Sequence, residues 1–198
     1  MRFKILAIAT FAVPLYLFVA PKVEASTALS GDAAATIASN PRHKLTAQNT
    51  SINQANWEKF SSSKGGFSVL MPGTPTEDIE TDKTDEGETY EQHFFSLSQP
   101  EGEYLVAYSD FTEEEVRVVG ADKILEAMSK ELQASATQVL SQNTISLQGN
   151  PGRMLKYKDS DGSINHTQMF IVKGRLFLLT ARASDANAKR FFDSFSLL

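Results

Sequence analysis

The chain has 198 residues, 41% apolar and 22% charged, which is the composition of one soluble globular domain plus an extension. Its formal net charge of −5 argues against nucleic acid and anionic membrane surfaces as partners. It has no Cys, which excludes a disulfide framework, a thiolate nucleophile, a cysteine zinc site and a lipid-modified N-terminal Cys.

Residues 1–25 read as a secretory signal. Arg2 and Lys4 form a basic start, Ile5 to Ala20 is an apolar run, and Val23-Glu24-Ala25 suits a cut before Ser26. Pro14 interrupts the run, which is short of the roughly 20 apolar residues a bilayer span needs. An uncleaved segment would tether the chain to a membrane instead. Residues 26–55 are rich in Ala, Ser, Thr, Asn and Gln, with little to bury, and are expected to be a flexible linker. A single domain is expected over residues 56–198.

Trp57 and Phe60 stand at helical i, i+3 spacing where the domain begins. After Gly65-Gly66, Phe67 to Met71 reads as a strand with Phe67, Val69 and Met71 on one face. Pro72-Gly-Thr-Pro75 ends it. Residues 77–91 are acidic and read as a solvated loop or edge. A hairpin follows over Thr89–Ser98 and Glu103–Asp110, with His93, Phe95 and Leu97 sharing one face. Tyr104, Val106 and Tyr108 oppose Leu105 and Ala107, so this strand is apolar on both sides. Asp110 to Gly120 reads as a connection carrying Glu113-Glu114-Glu115.

The clearest helix spans Asp122 to about Ala136, with Asp122 as N-cap and Ile124, Leu125, Met128 and Leu132 as its apolar stripe. Val139-Leu140 and Thr144–Leu147 are two short strand candidates, and Gly149-Asn-Pro-Gly152 a turn. Gly152–Tyr157 and Ile164–Lys173 pair through Ser160-Asp-Gly162. Asn165-His-Thr167 forms a glycosylation sequon. Thr167 to Arg182 is two strands joined at Lys173-Gly174, again apolar on both faces, so a layer must cover each side. Ser184 caps a last helix whose face is Ala188, Phe191, Phe192 and Phe195. The expected fold is α+β, an α/β/α sandwich on a mainly antiparallel sheet.

Several of these stretches resemble one known family. Phe67-Ser-Val-Leu-Met-Pro-Gly-Thr-Pro75, Tyr104-Leu-Val-Ala-Tyr-Ser-Asp110, Gly149-Asn-Pro-Gly-Arg153, the Phe170–Thr180 hairpin and Phe192-Asp-Ser-Phe195-Ser-Leu are similar to PsbP/Mog1-type domains. The chain also looks like exported cyanobacterial proteins of unknown role. The resemblance implies a non-enzymatic binding or assembly module. PsbP-like proteins act at photosystem II on the lumenal side, and Mog1 binds a small GTPase. This chain departs from bacterial PsbP homologues in lacking their lipid-anchoring Cys.

No Gly-x-Ser-x-Gly elbow, His-Glu-x-x-His or phosphate loop is present, and no cofactor is expected. Because triads and metal sites are assembled in space, His93 and His166 remain the candidates for an alternative reading, a hydrolase or metal-dependent enzyme. The leading expectation is an exported protein, in periplasm, thylakoid lumen or outside the cell, that binds an unidentified protein partner. Residues 116–198 hold eleven Lys/Arg against seven Asp/Glu, and Arg153, Lys156, Lys158, Lys173, Arg175 and Arg182 are its candidate basic face.

Overall fold

The computed structural model describes residues 56–83, 87 and 89–198; the expected export signal and linker lie outside them. Strands β1 (Glu58–Ser62), β2 (Phe67–Met71), β3 (Thr76–Lys83), β4 (Thr89–Gln99) and β5 (Gly102–Asp110) come first. Helices α1 (Glu113–Val119) and α2 (Ala121–Ser135) follow. Then come β6 (Gln138–Leu147), β7 (Asn150–Lys158), β8 (Ile164–Val172), β9 (Arg175–Ala183), α3 (Asp185–Asp193) and β10 (Ser196–Leu197). Seven strands make the main sheet in the order β3-β4-β5-β9-β8-β7-β6, and β1-β2-β10 make a smaller one. All pairings are antiparallel.

Strand alternation sorts the core as expected. On one face Leu105, Ala107, Met169, Ile171, Leu176 and Leu178 are buried with Ile124, Leu125 and Met128 of α2. On the other, Tyr104, Val106, Tyr108, Phe170, Phe177 and Leu179 are buried with Phe67, Val69 and Met71 of β2, Phe191 of α3 and Phe195. Phe170 and Phe177 are 3% and 1% exposed, and Ile171 and Leu178 3% and 1%. Each such side chain contributes roughly 1.5–3 kcal/mol, so the two covered faces hold the fold together. The fold is α+β, with an antiparallel central sheet between two layers.

The second layer is more than a helix, because the small sheet lies beside α3 over the same face. Trp57 and Phe60 therefore do not form a helix. Phe60 is in β1 opposite Val69, and Trp57 packs edge-on to Tyr104 at 5.3 Å. The connection after Asp110 contains α1, closed by a capping box in which the Thr112 hydroxyl accepts from Glu115 N–H and the Glu115 carboxylate accepts from Thr112 N–H. Gly120, not Asp122, is the N-cap of α2. Its N–H closes α1 on Val116 O while its carbonyl accepts from Lys123 and Ile124. With φ at 91°, it turns the chain between the two helices at no Cβ cost.

The two short strand candidates after α2 are one strand, β6, with a bulge between Val139 and Ser141. The turn expected over Gly149–Gly152 is tighter. Gln148-Gly149 makes it, and Asn150 to Gly152 already pair in β7. A Cβ on Gly152 would lie 2.5 Å from the Phe170 ring. The first part of the acidic stretch, residues 77–83, lies in the edge strand β3, exposed along its length, while Glu91 is in β4 and residues 84–86 and 88 lie outside the described residues. Among the described residues no helix is long and apolar enough to cross a membrane.

Candidate functional site

His93 lies inside the fold. It is 3% exposed and stacks on Tyr108 with ring centroids 4.5 Å apart and planes 10° from parallel. Its Nε2 is 3.3 Å from Glu91 and its Nδ1 3.7 Å from Glu77, the latter too long for a hydrogen bond. The Tyr108 hydroxyl is buried with no hydrogen-bond partner. Burial raises the phenol's pKa, opposed by the Arg175 guanidinium 4.4 Å above the ring. His166 is on the α3 side of β8, 3.3 Å from Asp185, again without the alignment of a hydrogen bond. Burial, helped by Lys156, holds its pKa below the ordinary imidazole value. The two histidines do not meet in one site, and among the described residues no three His, Asp or Glu side chains are grouped to hold a metal ion.

The six candidate cations do not form one face. Arg153 shares its strand face with Leu155 and Tyr157, under α2, and reaches Asp122 at 3.5 Å. Lys156 is on the opposite side and donates to both carboxylate oxygens of Asp185 at 2.9 Å. Lys158 follows it with the same parity at the end of β7. Arg182 returns to the α2 side, between Glu103 and Asp161. Burial raises the Glu103 pKa even so, with Arg182 pulling the other way. Arg175 lies on the α3 side, where Asp110 accepts from its Nε at 2.5 Å and from its Nη2 at 2.7 Å. Its Nη1 donates to the carbonyls of Lys64 and Gly65. Four of the six are therefore matched to carboxylates within the fold. The sequon is also closed to modification in the folded chain, since Asn165 is 4% exposed and Thr167 fully buried.

Lys173 and Arg175 are the members of the set that border a cleft. An open cavity of ≈ 550 Å³ lies at one end of the main sheet on the α3 side. Two turns border it, Gln148-Gly149 and Lys173-Gly174, each with a non-glycine φ near 50° followed by Gly at 83°. This is the type I′ geometry that matches strand twist. Gly174 is required there, because a Cβ would lie 2.7 Å from the Phe111 carbonyl. Val172, Phe177, Leu197 and Leu198 give the cleft an apolar lining, and Asn150, Asp110 and Arg175 a polar one. Lys173 is exposed at the rim, whereas Arg175 is held by Asp110. Gln148 and Asn150 had no functional reading in the sequence. The signal that could have found them is the matching pair of Gly-containing turns.

The fold and cleft define an antiparallel α+β sandwich with an open, half-apolar depression at one sheet end. No family model matches the chain, and no curated protein matches it. Among solved structures it is similar to cyanobacterial PsbP (CyanoP) from Synechocystis sp. PCC 6803, at 14% identity and a TM-score of 0.45. That match covers 75% of this chain and 96% of the other. It is also similar to PA94 from Pseudomonas aeruginosa, a protein of unknown function, at 10% identity and a TM-score of 0.33, covering 66% of this chain and 85% of that one.

Proposed function

We propose that this chain is an exported binding or assembly module that acts without catalysis and holds a protein partner at the Lys173 cleft. The observation that carries this reading is the composition of the cleft. An exposed ammonium stands beside an apolar lining of Val172, Phe177 and Leu197. The neighbouring guanidinium is engaged by Asp110 and two carbonyls, so it fixes the shape of the cleft. Such a surface suits a partner segment that places an apolar side chain in the depression and a carboxylate at the rim. The compartment is periplasm, thylakoid lumen or the cell exterior, as the N-terminal signal implies. The strand motifs resemble PsbP-type domains, which brings a lumenal role in photosynthesis within the proposal.

The test is affinity capture from the exported fraction of the source cells, with the native chain, Lys173→Glu and Lys189→Glu as parallel baits. Lys189 pairs with Asp193 on α3, outside the cleft lining, and serves as the control. A partner retained by the native chain and by Lys189→Glu, but lost with Lys173→Glu, supports the reading. Identical recovery by all three baits rejects the cleft as the docking site.

A further inference from the structure

The main sheet ends in two edges of opposite character. β3 carries Glu77, Asp78, Glu80 and Asp82 against one Lys83. Charges of this kind guard an edge against pairing with its own copy. β6, at the other end, is ten residues of Gln138–Leu147 without one charged residue or Pro. Among the described residues no strand pairs with its outer side. The bulge between Val139 and Ser141 interrupts its start, so the regular segment runs from Ser141 to Leu147. An unguarded edge of this length is a template for another strand.

We infer that β6 is a self-association edge, and that two copies of this chain pair β6 to β6, antiparallel, about a two-fold axis at Thr144. A second copy fits because the segment is self-complementary. Centring Ser141–Leu147 on itself puts Thr144 opposite Thr144 of the other copy, Gln142 opposite Ser146, Asn143 opposite Ile145 and Ser141 opposite Leu147. No charge faces a charge in that register, and a Thr pair on the axis is a favourable cross-strand neighbour. Ile145 and Leu147 lie on the face that already packs against the small-sheet core, so pairing extends that apolar surface across the axis. The contact is isologous and closes at two copies. The cations of β7 do not prevent it. The Arg153 guanidinium reaches β6 itself, donating to Thr144 Oγ1 at 2.8 Å, but Asp122 meets its charge at 3.5 Å. Lys156 is on the opposite face and is held by Asp185. Helix α2 rests over β7 and β8 and touches β6 through Gln133, whose side-chain amide donates to Gln142 Oε1 at 3.1 Å, on the sheet face and not along the open backbone edge.

The chain has no Cys, so Thr144→Cys introduces its single thiol. Cα atoms directly opposite in an antiparallel pair are about 4.5–5.5 Å apart, within disulfide reach. Oxidation of the full chain is expected to give a disulfide dimer from Thr144→Cys. Ile79→Cys on the guarded edge, where Ile79 is 51% exposed, should give none. Adding Gln142→Lys and Ser146→Lys to Thr144→Cys sets like charges opposite each other at two points and should lower the dimer yield about tenfold or more. Both positions are exposed, so the fold tolerates them. Absence of the Thr144→Cys dimer, or equal yields from both edges, overturns the inference. So does a yield indifferent to the two lysines in a chain that keeps its native circular dichroism.

Discussion

Arg175 grips Asp110 through two parallel hydrogen bonds, Nε to Oδ1 at 2.5 Å and Nη2 to Oδ2 at 2.7 Å, across the β9–β5 pair. The same guanidinium covers Tyr108 and donates to the carbonyls of Lys64 and Gly65, so it ties the main sheet to the β1–β2 loop. The two ends of the Arg175–Asp110 pair are unequal. Asp110 is largely exposed, so Asp110→Asn should cost only about 0.5–1 kcal/mol in urea unfolding. Arg175→Ala strips two carbonyls and a buried ring as well, and should cost about 2–3 kcal/mol. Arg175→Lys should recover little of that, since an ammonium cannot make the fork. Equal costs for Asp110→Asn and Arg175→Ala would mean the carbonyl and ring contacts contribute nothing.

Phe195 is 5% exposed and lies 5.5 Å from both Phe67 and Phe177, centroid to centroid. It joins the small sheet to the main one. Phe195→Ala should destabilise by about 3–5 kcal/mol with little change in denaturant slope, the signature of a cavity in a two-state fold. Phe192→Ala, at a half-buried position in the last turn of α3, should cost clearly less.

Tyr108→Phe removes a buried hydroxyl that has no hydrogen-bond partner. It should be neutral or stabilise the chain by up to about 1 kcal/mol, because an unpaired buried polar group is a cost. A loss of more than that in thermal or urea unfolding would reveal a partner for the hydroxyl.

His166 makes stability depend on pH. Burial, assisted by Lys156 and opposed by Asp185, holds its folded pKa below the ordinary 6.5. The unfolded chain then binds this proton more tightly than the folded one. The contribution is complete above about pH 6.5 and is lost as pH falls from there through the depressed folded value. His166→Gln should flatten that part of the stability–pH curve, measured by urea unfolding between about pH 5 and 8. An unchanged slope would show that the imidazole titrates alike in both states.

The central layer was legible because period-2 alternation with apolar residues on both sides has one physical meaning, a strand covered twice. Parity was also enough to split the cations. Arg153 differs from Lys156 and Lys158 by an odd step on β7, as Arg175 does from Arg182 on β9, so neither strand could present its set on one face. The carboxylates that meet them come from the register of distant strands and from helix ends, which local spacing does not encode. Trp57 and Phe60 misled because one apolar pair at i, i+3 is no periodicity. β6 broke into fragments because a half-polar edge strand has little burial to report. The Thr112–Glu115 box was readable and marks the start of α1. The cleft was not, since turns near residues 65, 148 and 173 and the segment after β10 meet only in the folded chain.

β2 is flanked by β1, a few residues before it, and by β10, which pairs Ser196 with Ser68 and Leu197 with Phe67. A nascent chain lacks that closing strand until Leu197 has been translated. Until then Phe170 and Phe177 lack the Phe195 ring that covers them, and one side of a finished seven-stranded sheet stays only partly roofed. Messages truncated before that codon would yield a greasy, association-prone product.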